Sequence, residues 1–96
     1  MLIIEAKKRN KTGKNYNRIL RNNNKIPAII YGSFLPNNIL IEIYHNKIIN
    51  LHKKKIFYEN IIILIKKKKY LVKLKEIQYH HFKNQIIHID FLIIKN

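Results

Sequence analysis

The chain contains no cysteine, which excludes disulfides, thiolate metal sites and cysteine nucleophiles together. It is also poor in one sign of charge: five Asp and Glu stand against twenty Lys and Arg in 96 residues, a formal net charge of +15. An imbalance of this size exceeds what solubility requires and implies a polyanionic partner. No uncharged apolar run approaches the ~20 residues of a membrane-spanning helix. The longest, residues 61–65, is strand-sized. The opening Met1-Leu2-Ile3-Ile4-Glu5-Ala6-Lys7-Lys8 has no charged segment followed by an apolar core and a small-residue cleavage site. Nothing there directs export, and a cytoplasmic location is expected. A G-x-x-x-x-G-K-[ST] loop, a Ser-centred nucleophile motif and a pair of catalytic carboxylates are all missing, so neither enzymatic activity nor a cofactor is expected.

What is present argues for a fold. A hydrophobic fraction of 47% is too high for a disordered basic tail. The length suits one domain, 1–96, with one modest core. Lys, Ile and Asn, whose codons are rich in A and T, replace Arg, Val and Ala almost throughout. Part of the lysine content is therefore genomic, and each remaining arginine carries more information.

Residues 2–8 alternate, with Leu2, Ile4 and Ala6 on one face and Ile3, Glu5 and Lys7 on the other, which predicts a first strand. The polar stretch 9–15, with Gly13, reads as a loop. Tyr16, Ile19 and Leu20 recur at helical spacing behind Asn15, a capping residue, and predict a short helix over 16–22. Pro27 pushes Ile26 towards extended geometry, and 28–32 reads as a buried strand ending at a turn. Strands follow at 39–44, 61–65, 70–77 and 86–93. Asn46 caps a second helix bearing Ile48, Ile49 and Leu51, and Lys66 to Lys69 form the tip of a hairpin. The expectation is an α+β domain, a mixed and mostly antiparallel sheet or barrel with two short helices in its connections.

Residues 7–25 hold eight Lys or Arg, among them all three arginines of the chain, Arg9, Arg18 and Arg21. Guanidinium matches phosphate and guanine edges in a planar, bidentate way that ammonium cannot. Arg18 and Arg21, three apart, share a helix face. This segment is the first candidate for nucleic-acid contact; a solvated face is the plainer alternative. The lysine runs at 53–55 and 66–69 read equally well as a helix end and a hairpin tip. His80, His81 and His88 have neither the spacing nor the companion ligands of a metal site. On the last strand His88 and Asp90 share one face while Ile89 and Phe91 point to the core. Near RNA a carboxylate is useful mainly as an acceptor for base amino groups, so Asp90 is a candidate base reader; a surface polar pair with His88 is the alternative.

The strings Arg18-Ile19-Leu20-Arg21, Lys25-Ile26-Pro27-Ala28-Ile29-Ile30-Tyr31-Gly32, Gln78 with His80, and His88-Ile89-Asp90-Phe91 resemble the bacterial large-subunit ribosomal protein family numbered twenty-five. The likeness includes Gly13-Lys14, Phe57-Tyr58 and Val72-Lys73, runs almost end to end, and is to the short, single-domain form of that family. The resemblance implies a six-stranded, mostly antiparallel β-barrel with two short flanking helices, bound to the loop E region of 5S rRNA in the central protuberance of the large subunit beside other ribosomal proteins. It also implies a monomer when free. Carried over by position, Arg9, Lys14, Arg18 and Arg21 would grip backbone and groove edges, and Tyr31, Gln78, His88 and Asp90 would form a sheet-side surface that reads shape and base edges. The chain departs from the family pattern at Ile19, where a basic residue often stands, at His81 and Asn84, which replace prolines, and at the Lys66–Lys69 tip, which replaces a tighter turn. Two other readings of the same barrel are a tRNA-binding module, as in the anticodon-binding region of glutaminyl-tRNA synthetase, and a stress-related interaction protein without stable RNA.

Overall fold

Strand periodicity in the sequence becomes strand periodicity in burial. The computed structural model describes residues 2–9, 18–20, 22–48, 59–83 and 85–95. Among the described residues there are six strands: β1 (Leu2–Lys8), β2 (Lys25–Tyr31), β3 (Ile39–Tyr44), β4 (Asn60–Ile65), β5 (Lys68–Tyr79) and β6 (Ile86–Lys95). A short helix, His45–Ile48, follows β3, and residues 18–20 and 22 are helical. In β4 the isoleucines at 61, 63 and 65 are buried, while Ile62 and Leu64 between them are half-buried on the outer face. Chemistry alone does not separate these neighbours; the period of two does.

The strands close into a barrel in the order β1-β3-β2-β6-β5-β4, with β4 returning to β1. Two three-stranded antiparallel halves, β1-β3-β2 and β6-β5-β4, meet at two parallel seams, β1–β4 and β2–β6. Among the described residues each strand pairs on both sides over at least part of its length, which covers most of the sheet edge. The interior is filled largely by isoleucine, with Ala28, Val72 and Phe91 among fully buried residues. Each fully buried side chain of this size stabilises the fold by roughly 1.5–3 kcal/mol.

Several elements differ in extent from the sequence expectation. β2 begins at Lys25 and runs through Pro27. The register with β6 starts only at Ala28, so the proline lies just before the stretch bonded on both sides, where a missing N–H is tolerated. The hairpin turn is confined to Lys66 and Lys67, because Lys68 and Lys69 already pair with Ile65 and Leu64. Lys66 there has φ 55°. Ile19 is 55% exposed, whereas Leu20 is buried, so only one of the pair serves the core. The helical residues end at Asn23, whose N–H donates to the carbonyls of Ile19 and Leu20, and at Asn24, with φ 61°. Asparagine tolerates this left-handed cap better than most residues. The second helix starts at His45, one residue before the expected cap. The predicted loop over 10–15, the helical positions Tyr16 and Arg21, and the segment 49–58 with Lys53 to Lys55 lie outside the described residues.

Three one-residue irregularities interrupt β5–β6 pairing. The central one matters most. Leu74 faces Phe91, but Glu76 faces Asp90, so Lys75 is an extra residue on β5. The bulge reverses the parity of the strand: Ile77 turns towards the core opposite Ile89, and Glu76 and Gln78 turn outward opposite Asp90 and His88.

Candidate nucleic-acid interface

Four of the sequence-selected residues come together on one outer face. Across the β5–β6 register Gln78 faces His88 and Glu76 faces Asp90, and across the parallel β2–β6 seam Ile29 faces Asp90 and Tyr31 faces Leu92. Tyr31, Asp90, His88 and Gln78 therefore lie on adjacent strands of the same surface. Gln78 is exposed and Tyr31 half-buried. His88 Nδ1 lies 3.0 Å from Asp90 Oδ1, with the two side chains 25% and 26% exposed. This contact fixes the imidazole plane and occupies one carboxylate oxygen; a carboxylate has acceptor positions to spare. The surface thus offers a phenol, an amide, an imidazole and an acceptor-only group, a set suited to base edges and 2′-hydroxyls.

Arg18 is exposed on the helical segment, while Arg21 and Lys14 lie outside the described residues. Arg9 sits elsewhere. Its side chain is turned into the barrel and is 7% exposed. Nε donates to the carbonyl of Ile41 at 2.8 Å and Nη2 to that of Ala28 at 3.2 Å, two residues that face each other in the β2–β3 register. The seam it supports is short: β1 pairs with β3 at Lys7–Glu42 and Lys8–Ile41, and the Arg9 N–H donates to the Leu40 carbonyl. The geometry accounts for this arginine as an internal brace, where the sequence had suggested a phosphate grip.

The loop after β5 is built around a histidine. His80 Nδ1 accepts from the N–H groups of Phe82 and Lys83, and the His80 N–H donates to the Gln85 carbonyl. His80 is therefore a turn-former. Among the described residues, no group of three or more His, Cys, Asp or Glu is placed to hold a metal ion.

The model of the ribosomal L25p family matches residues 4–91. The chain belongs to the ribosomal L25p family. It is similar to the large ribosomal subunit protein bL25 of Buchnera aphidicola subsp. Schizaphis graminum, 47% identical with 99% of each chain covered. The same-named protein of Photorhabdus laumondii is 41% identical, covering 96% of this chain and 98% of the relative. That of Vesicomyosocius okutanii is 44% identical over 97% of this chain but only 41% of its own length. Family membership makes the chain a protein of the large ribosomal subunit.

Within this L25p barrel, sequence reasoning missed Phe82, which is 94% exposed beside the rings of His80 and His81; its signal was an aromatic in an otherwise polar loop. It also missed Tyr44, whose ring lies 5.4 Å from Lys25 Nζ and 6.0 Å from Lys47 Nζ. No periodic pattern marks that site, because its members come from β2, β3 and the following helix.

Proposed function

We propose that this L25p-family chain is a structural component of the large subunit that binds 5S rRNA, at its loop E region, as a single domain over 1–96 and as a monomer when free. The outer face of β2, β6 and β5 lies across a minor groove, with Tyr31, Gln78, His88 and Asp90 reading shape and base edges. Arg18, and by resemblance Lys14 and Arg21, bind backbone and groove edges from the segment before β2. Neighbouring large-subunit proteins complete its surroundings in the cytoplasm. The role is architectural and needs no cofactor.

The observation that carries this reading is the convergence of Gln78, His88 and Asp90 on one face through the Lys75 bulge. A surface built only to attract phosphate has no use for a carboxylate at its centre. The test is capture of the tagged protein from a bacterial lysate with sequencing of the bound RNA. Dominant recovery of 5S rRNA supports the proposal; tRNA as the main product, or failure to co-sediment with large subunits, overturns it.

A further inference from the structure

In the ring of strands β1 stands opposite β6, so the outer surface over β1 and β3 faces away from His88 and Asp90. Beyond Lys7–Glu42 the two strands diverge, and a groove of about 880 Å³ opens between them and the tip of the β4–β5 hairpin. Its walls carry Lys7, Lys8, Lys25, Lys47, Lys66 and Lys68 against Glu5 and Glu42. Lys25 and Glu42 form a close pair, 2.9 Å apart and mostly shielded. Lys47 and Glu5 are 3.9 Å apart and more than half exposed, a contact worth little in water. Aromatic rings hold three of the cations: Tyr44 lies beneath Lys25 and Lys47, and Lys68 Nζ is 5.3 Å from the Tyr70 ring.

We propose that this groove is a second RNA-binding surface, taking the phosphate backbone of an RNA segment other than the one on the β2–β6–β5 face. The surplus of ammonium groups around one concavity is self-repulsive when empty and is relieved by a polyanion. Among the described residues the lining contains lysine and no arginine, which suits a line of point charges along a backbone better than the forked recognition of individual carboxylates. In a large subunit the abundant polyanion is rRNA. The barrel then works as a spacer between two RNA strands, gripping one by charge and the other by its edges. That this surface is additional to another rests on the function proposed above; the groove's affinity for RNA does not.

The experiment uses the full chain in three forms: unaltered, with Lys8→Gln and Lys47→Gln in the groove, and with Lys67→Gln and Lys69→Gln as a control of equal charge outside it. Each is saturated with 5S rRNA, and a short labelled RNA duplex of unrelated sequence is titrated in. The unaltered complex and the control should bind the duplex alike. The groove variant should bind it about tenfold more weakly, with a salt slope shallower by roughly 1.4 to 1.8, while all three keep the same affinity for 5S rRNA. Equal weakening in groove variant and control, or no duplex binding by the unaltered complex, overturns the proposal. So does a photoreactive residue at position 47 that crosslinks to protein and not to rRNA in assembled subunits. If the unaltered protein shows no preference for 5S rRNA, the proposed function fails, and the comparison of groove variant with control on the duplex alone still decides the groove.

Discussion

His88 and Asp90, two positions apart on β6, meet through Nδ1 and Oδ1 at 3.0 Å on the outer face of the barrel. The pair holds a carboxylate still in a chain whose Lys and Arg outnumber its Asp and Glu by twenty to five. For base reading, Asp90→Asn keeps one acceptor oxygen, adds a donor and loses charge assistance. Affinity for 5S rRNA should fall by roughly 1–3 kcal/mol, while affinity for an unrelated duplex stays level or rises. Tighter binding of both RNAs, measured side by side at one salt concentration, refutes the reading role.

Arg18→Ala should weaken 5S rRNA binding by about 1–3 kcal/mol and leave the unfolding midpoint unchanged, since the side chain is exposed. Lys67→Ala, at the hairpin turn, should do much less. Equal losses in a filter-binding comparison mean that the charge acts diffusely.

Arg9→Ala should behave in the opposite way. It removes two buried hydrogen bonds to carbonyls from a charged donor and should cost about 2–4 kcal/mol of stability, read from urea denaturation. Arg9→Lys should recover only part of this, because an ammonium cannot span both carbonyls. Where the variants are still folded, 5S rRNA affinity should stay within about threefold, well under 1 kcal/mol.

Gly32 closes β2 at φ 142°, a region that side-chain-bearing residues avoid. An added Cβ would also lie 2.6 Å from Ile93 Cγ2. Gly32→Ala should therefore lower stability by about 1–3 kcal/mol. An unchanged thermal midpoint would contradict the conformation described.

Lys66 adopts φ 55° without being glycine, at a cost of about 1 kcal/mol. Lys66→Asn should raise the denaturation midpoint by an amount worth roughly 0.5–1 kcal/mol. A fall would show that the lysine makes a compensating contact.

Strands were legible where apolar and polar residues alternate at a period of two, as in His88-Ile89-Asp90-Phe91, or where a short β-branched run is bounded by polar residues, as in 61–65. The bulge at Lys75 was not, because a one-residue insertion exists only relative to the partner strand; nothing in Leu74-Lys75-Glu76-Ile77 says where parity reverses. Gln78 was reached through family likeness, and the bulge supplies its physical reason. Arg9 misled because basic residues surround it in sequence, while its acceptors lie 19 and 32 positions away. Lys25 stood at the edge of the basic segment 7–25, but its meeting with Tyr44 was not legible for the same reason: it depends on how β2 pairs with β3.

The order of strands in the barrel has a consequence for synthesis. β2 emerges early, yet one of its two neighbours is β6, the last of the barrel's strands in chain order. β1 likewise waits for β4, some sixty positions downstream. Local hairpins can form as the chain appears, but both parallel seams join distant segments, and such pairings form slowly. Until β6 arrives, a nascent chain of this sequence presents the isoleucines of β2 along an unpaired edge, so the barrel closes only once nearly all of it has left the ribosome that is making it.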